Sequence, residues 1–157
     1  MENAIGITLT VNGAKVSRRV EPRVHLVDFL RDELGLTGSH IACEHGVCGA
    51  CTLRVDGTIV RGCLMLAVQA DGCKVDTIEG ISDSKEAARL QKAFHERNAL
   101  QCGFCTPGML MAAQDLVLQG KSFTRDEIRN HISGNYCRCT GYQSIVDAIE
   151  EVVNGKS

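Results

Sequence analysis

The chain has 157 residues, is 44% hydrophobic and 23% charged, and carries a formal net charge of −2. That composition excludes a basic nucleic-acid footprint, and no apolar run nears the roughly 18 residues a membrane helix needs. The opening residues Met1 to Gly6 lack the basic and apolar regions of a secretory signal, so nine cysteines point to metal or redox use in the cytoplasm rather than to a disulfide framework.

In chain order, Ile5, Ile7, Leu9 and Val11 alternate with non-core positions, the period of a half-buried strand. Asn12-Gly13 is a strong hairpin signal, and Val16 and Val20 mark the return strand. After Pro22, residues Leu26, Val27, Phe29, Leu30 and Leu34 recur at helical spacing, with Gly35 suited to the C′ position. A second hairpin runs from Cys51 to Val55, turns at Asp56-Gly57 and returns over Thr58 to Cys63. A third turn at Asp71-Gly72 leads into a strand from Lys74 to Ile78. Strand–strand–helix–strand–strand–strand fits a β-grasp, one helix across a small mixed sheet.

The polar, Gly-containing stretch from Glu79 to Ser84 is the expected boundary, and the period beyond it is helical. Ser84 opens a helix with Ala87, Leu90 and either Ala93 or Phe94. Thr106-Pro107 reads as an N-cap with proline at N1, followed by Met109, Leu110, Ala113, Leu116 and Val117. Thr124 and Glu127 form a capping box for a helix with Ile128 and Ile132 that stops at Gly134. Thr140 is the expected start of a last helix with Ile145, Val146, Ile149, Val152 and Val153. Four helices of this length make a small bundle. The fold class is therefore α+β: a plant-type ferredoxin-like β-grasp domain over residues 1–79, then a four-helix-bundle domain over 80–157.

Eight of the nine cysteines fall into two quartets. Cys43, Cys48, Cys51 and Cys63 are spaced C-x4-C-x2-C-x11-C, and Cys102, Cys105, Cys137 and Cys139 are spaced C-x2-C-x31-C-x-C. Four thiolates complete one [2Fe–2S] cluster, and the first spacing is that of plant-type ferredoxins. In the loop from Cys43 to Cys51, Gly46 and Gly49 can take positive φ and turn backbone N–H groups toward sulfur. A structural zinc site also uses four cysteines, usually in paired short spacings, which disfavours zinc in this loop. For the second quartet, spacing alone does not separate iron–sulfur from zinc. Its two pairs precede expected helix N-termini, where free N–H groups favour an anionic centre.

Cys73 is left over and reads as a free, inert thiol. A Rieske centre needs two histidines on one iron, so His45 reads as a surface residue, and His25, His40, His95 and His131 show no ligand spacing. Arg138 either neutralises cluster charge or faces solvent. No dinucleotide fingerprint, P-loop or nucleophile–base pair is present, so no catalytic residue is assigned.

Four segments together resemble the small iron–sulfur subunit of the molybdenum hydroxylases, the family of xanthine dehydrogenase and aerobic carbon monoxide dehydrogenase. They are Leu36-Thr-Gly, Cys43-Glu-His-Gly-Val-Cys-Gly-Ala-Cys51, Gln101-Cys-Gly-Phe-Cys-Thr-Pro-Gly-Met109 and Asn135-Tyr-Cys-Arg-Cys-Thr-Gly-Tyr142. The resemblance spans essentially the whole chain and implies an electron-transfer role. Electrons would pass from a molybdopterin-type cofactor on a large subunit, through two [2Fe–2S] clusters, to FAD on a medium subunit. It implies that Cys102, Cys105, Cys137 and Cys139 hold the cluster nearer the pterin. Cys43, Cys48, Cys51 and Cys63 would hold the one nearer the flavin. Gln101 and Cys139 would lie against the pterin. Because no flavin or molybdenum domain is attached, those parts are expected on separate chains of a heterotrimer or a dimer of heterotrimers. A diffusible ferredoxin-like carrier and a zinc-stabilised interaction module are the competing functions. A free carrier usually relies on a strongly charged surface, and a net charge of −2 supports that weakly.

Overall fold

The computed structural model describes residues 3–155. Met1 and Glu2, at the head of the segment read for a secretory signal, lie outside the described residues, as do Lys156 and Ser157 at the end of the second expected domain.

Strands β1 (Ile5–Val11) and β2 (Ala14–Val20) form the first hairpin, with Val11 opposite Ala14. Its turn residues Asn12 and Gly13 both have positive φ, 49° and 81°, the two-residue geometry that matches strand twist. Ile7, Leu9 and Val11 are buried, whereas Ile5 at the strand's start is exposed. Helix α1 (Leu26–Asp28) continues as a π-helical stretch, Phe29–Glu33, and Gly35 follows with φ +69°. Strands β3 (Thr52–Val55) and β4 (Thr58–Arg61) form the second hairpin, two residues shorter than expected at the Cys63 end. Strand β5 (Lys74–Asp76) completes a five-stranded sheet in the order β2-β1-β5-β3-β4. The β1–β5 pairing is parallel and the others antiparallel.

One face of the sheet buries Leu9, Val11, Leu53, Val55 and Val75 against Leu26, Phe29 and Leu30. Each such large apolar side chain contributes about 1.5–3 kcal/mol when fully buried. The other face is covered at β3. All four residues of β3 are buried, including Thr52 and Arg54, because α4 (Thr106–Leu118) packs over that strand.

The remaining helices are α2 (Ile78–Ile81), α3 (Lys85–Glu96), α5 (Arg125–His131) and α6 (Gln143–Val153). They share with α4 a second apolar cluster that includes Leu90, Phe94, Met109, Leu116, Ile128, Ile145 and Ile149. Ser84 caps α3 by accepting from Ala87 N, and Thr124 and Glu127 cap α5 reciprocally. Arg125 clamps α5 to α6 through Asp147 and Glu150.

Two helix starts differ from expectation. The N-cap of α4 is Cys105 rather than Thr106, whose Oγ1 is buried without a partner. Helix α6 begins at Gln143 after Tyr142 at φ 70°, not at Thr140. The Thr140 hydroxyl is used elsewhere, donating to Cys137 Sγ at 3.2 Å.

Asn12 anchors the junction between sheet and helices. Its side chain donates to Thr77 Oγ1 and accepts from Thr77 N, both at 2.9 Å. Glu79 adds a second tie by accepting from Gly38 N at 2.7 Å.

Candidate metal centres

The loop from Cys43 to Cys51 curls because Glu44, Gly46 and Gly49 take positive φ, and only the two glycines do so without a Cβ cost. The curl turns N–H groups inward: Cys48 N donates to Cys43 Sγ at 3.3 Å. Backbone N–H groups of Cys48 and His45 hold the Cys43 thiol down, at about 6. Cys63, two residues past β4, is pushed up to about 11 by burial and by its neighbour Cys51. His45 is exposed and its Nδ1 pairs with the Cys43 carbonyl oxygen. Nothing in that arrangement makes it a ligand.

The second quartet is assembled from two loops. Cys139 Sγ lies 3.6 Å from Cys102 Sγ, and Cys105 interacts with Cys137. Burial, with Cys137 and Cys102 alongside, pushes Cys105 up to about 12. Burial also acts to raise Cys137, but donation from Thr140 Oγ1 and from the Cys139 and Thr140 backbone holds it below the ordinary thiol value. Cys105 sits at the N-cap of α4 as a dipole argument requires, whereas Cys137 and Cys139 stand apart from the first residue of α6, Gln143. For that pair the charge is met by hydroxyl and loop N–H groups, not by a helix end.

Among the described residues no three His, Cys, Asp or Glu side chains gather around a point suited to one metal ion. The thiols stand in pairs instead: Cys43 with Cys48, Cys51 with Cys63, Cys102 with Cys139, Cys105 with Cys137. Paired thiols with inward N–H donors suit a two-iron anionic cluster, each iron taking two sulfurs.

Gln101 Nε2 donates to Cys139 O at 3.0 Å, so these two sequence-selected residues are neighbours, with Gln101 exposed. Cys73 is raised by burial and by Asp56 and Asp71, which fits an unreactive thiol. Arg138 is exposed. His40 stacks on Phe104 and bonds its carbonyl, and His131 faces Ala112 O and Asp115.

Sequence reasoning missed the seam joining the two quartets. Tyr136 N donates to Cys48 O at 2.8 Å. Asn135 Nδ2 donates to Gly49 O and to Thr52 Oγ1, both at 3.1 Å. Gly108 of α4 lies so close that a Cβ there would collide with Gly49 O. Deeper in, Arg54 Nη1 donates to Gln114 Oε1 at 2.9 Å. The sequence signal is that Gly49, Gly108, Asn135 and Tyr136 all lie within the segments that carry the family resemblance.

The model of the [2Fe-2S] binding domain family matches residues 77–150. The gamma subunit of caffeine dehydrogenase from Pseudomonas sp. strain CBB1 is 56% identical over 150 residues, covering 93% of this chain and 89% of that one. The chain belongs to the small iron–sulfur subunits of the molybdenum hydroxylases. The nicotine 6-hydroxylase small subunit of Paenarthrobacter nicotinovorans is 49% identical, covering 92% of this chain and 87% of its own. Among solved structures, quinoline 2-oxidoreductase from Pseudomonas putida 86 superposes with a TM-score of 0.89 at 48% identity, covering 98% of this chain and 95% of that one. As a member of this family the chain is the electron-transfer component of an oxidoreductase, and its α+β class agrees with the structural match.

Proposed function

We propose that this chain relays electrons through two [2Fe–2S] clusters between a large molybdopterin-binding subunit and a medium FAD-binding subunit. Cys102, Cys105, Cys137 and Cys139 hold the cluster on the pterin side, and Cys43, Cys48, Cys51 and Cys63 the one on the flavin side. Within each quartet the paired thiols would share an iron, and the 3.6 Å separation of Cys102 and Cys139 Sγ fits that sharing. Each cluster supplies a site that takes up and gives back one electron.

The observation that carries the reading is the hydrogen bond from Tyr136 N to Cys48 O. It links the residue beside Cys137 to a cysteine of the other quartet without a solvent gap. Exposed Gln101, held against Cys139 O, supports a pterin contact at the outer end.

Residues 1–79 and 80–157 act as a β-grasp domain and a helical-bundle domain, each with one cluster. Two separate apolar clusters support that division, and the boundary falls inside α2. The complex is a heterotrimer or a dimer of heterotrimers. Nine unpaired thiols suit the reducing cytoplasm. Relatives named for caffeine, nicotine and quinoline support an N-heteroaromatic substrate on the large subunit.

Replacing Cys105 by Ser in the reconstituted complex tests the relay. Substrate should still bind, but flavin reduction by substrate should stop. Flavin reduction at the wild-type rate would refute the assignment.

A further inference from the structure

Arg61 ends β4, two residues before Cys63. Its Nη1 donates to Thr52 Oγ1 at 2.6 Å, and its Nη2 donates to Gly134 O at 2.8 Å and, more weakly, to Asn135 Oδ1 at 3.4 Å. The Thr52 hydroxyl donates in turn to Gly49 O at 2.6 Å and accepts from Asn135 Nδ2. Every donor and acceptor site of that hydroxyl is therefore used. One guanidinium thus spans the loop that carries Cys48 and Cys51 and the turn that precedes Cys137.

Among the described residues no carboxylate pairs with this charge, and all its acceptors are neutral. A guanidinium fork that spends its donors on a carbonyl, a hydroxyl and an amide serves geometry, which a flexible ammonium cannot reproduce. Space at the contact is also reserved: a Cβ on Gly134 would run into Arg61 Nη2 and nothing nearer.

We propose that Arg61 is the positioning residue of the relay. Its fork locks the Gly134–Tyr136 turn onto the Gly49–Thr52 loop and thereby sets the separation between the two cluster-binding quartets. The inference rests on the two-cluster reading above. It is distinct from ligation, since Arg61 touches no cysteine sulfur in its hydrogen bonds.

The test is low-temperature EPR of the dithionite-reduced, cluster-loaded complex. Two nearby paramagnetic clusters split each other's lines, and the splitting falls steeply with distance. Wild type should show two [2Fe–2S] signals with resolved splitting. Arg61→Ala should keep both signals and lose the splitting, and Arg61→Lys should recover it only in part. Wild-type splitting in Arg61→Ala would overturn the proposal. If Arg61→Ala does not load clusters, Gly134→Ala carries the same test, because its Cβ displaces Nη2 directly. Arg97→Ala, which removes the distant Arg97–Glu151 pair, should leave the splitting intact. Its loss there as well would show general loosening and overturn the role of Arg61. Absence of either cluster signal from wild type would refute the two-cluster reading, and the inference with it.

Discussion

Tyr136 N donates to Cys48 O across 2.8 Å, so the backbone beside Cys137 is hydrogen-bonded to the backbone of a cysteine in the other quartet. The Tyr136 ring contributes nothing to this contact, being 54% exposed. Tyr136→Pro, which removes the N–H, should slow electron passage between the clusters, whereas Tyr136→Phe should leave it unchanged. Stopped-flow reduction of flavin by substrate checks both, and equal rates in the two variants would contradict the account.

Asn135 is 2% exposed and supplies two hydrogen bonds across the seam. Asn135→Ala leaves buried acceptors short of a donor, a loss of about 1–3 kcal/mol. The midpoint of urea unfolding of the full chain should fall accordingly, with little change in its slope.

Gly49 combines φ +76° with a site where a Cβ would meet Gly134 O and the Asn135 amide. Gly49→Ala should therefore cost both backbone strain and the seam. Gly13→Ala has similar φ but open space around it, so it should cost strain alone. Visible absorbance of purified protein should be reduced in the first variant and near wild type in the second.

Glu79 gives the pH dependence. Burial acts to raise its carboxyl, but donation from Thr77 Oγ1 and Gly38 N, with the Arg31 charge, holds it below its ordinary 4.5. A depressed folded value means the unfolded chain binds more protons in acid. The contribution is therefore complete above about pH 4.5 and is lost as pH falls through the folded value. The stability gap between wild type and Glu79→Gln, measured by denaturant at each pH, should narrow on acidification. A constant gap would count against it.

Removing iron should unmask thiols in a defined order. In the loaded complex a maleimide reagent should reach Cys73 at most, since the proposed ligation would occupy the other eight cysteines. After chelation Cys43, held at about 6, should label first, and Cys63 and Cys105, at about 11 and about 12, last. Peptide mass mapping over time reads the order.

Local chemistry was legible in the sequence. Asn12-Gly13, the Thr124–Glu127 box, Gly46 and Gly49 each announce a conformation through their own residue type, and the structure uses each that way. The seam was not legible, because its partners are far apart in the chain: Arg61 reaches 73 residues to Gly134 and Asn135 reaches 83 to Thr52. Nothing in the residue types of Thr52 and Arg54 announces their burial, which comes from the packing of α4 over β3. Thr140 shows the same limit at short range. The sequence makes it the expected start of the last helix, but the helix begins at Gln143 and the Thr140 hydroxyl donates to the Cys137 thiol.

The central claim is a two-cluster relay built into a larger enzyme, and native mass spectrometry of the untagged protein from its source tests it most directly. The account predicts a complex with two larger chains in which this chain is heavier by two [2Fe–2S] units. A lone chain with that added mass would contradict the subunit role and favour a diffusible carrier, and zinc in place of iron would contradict the relay itself.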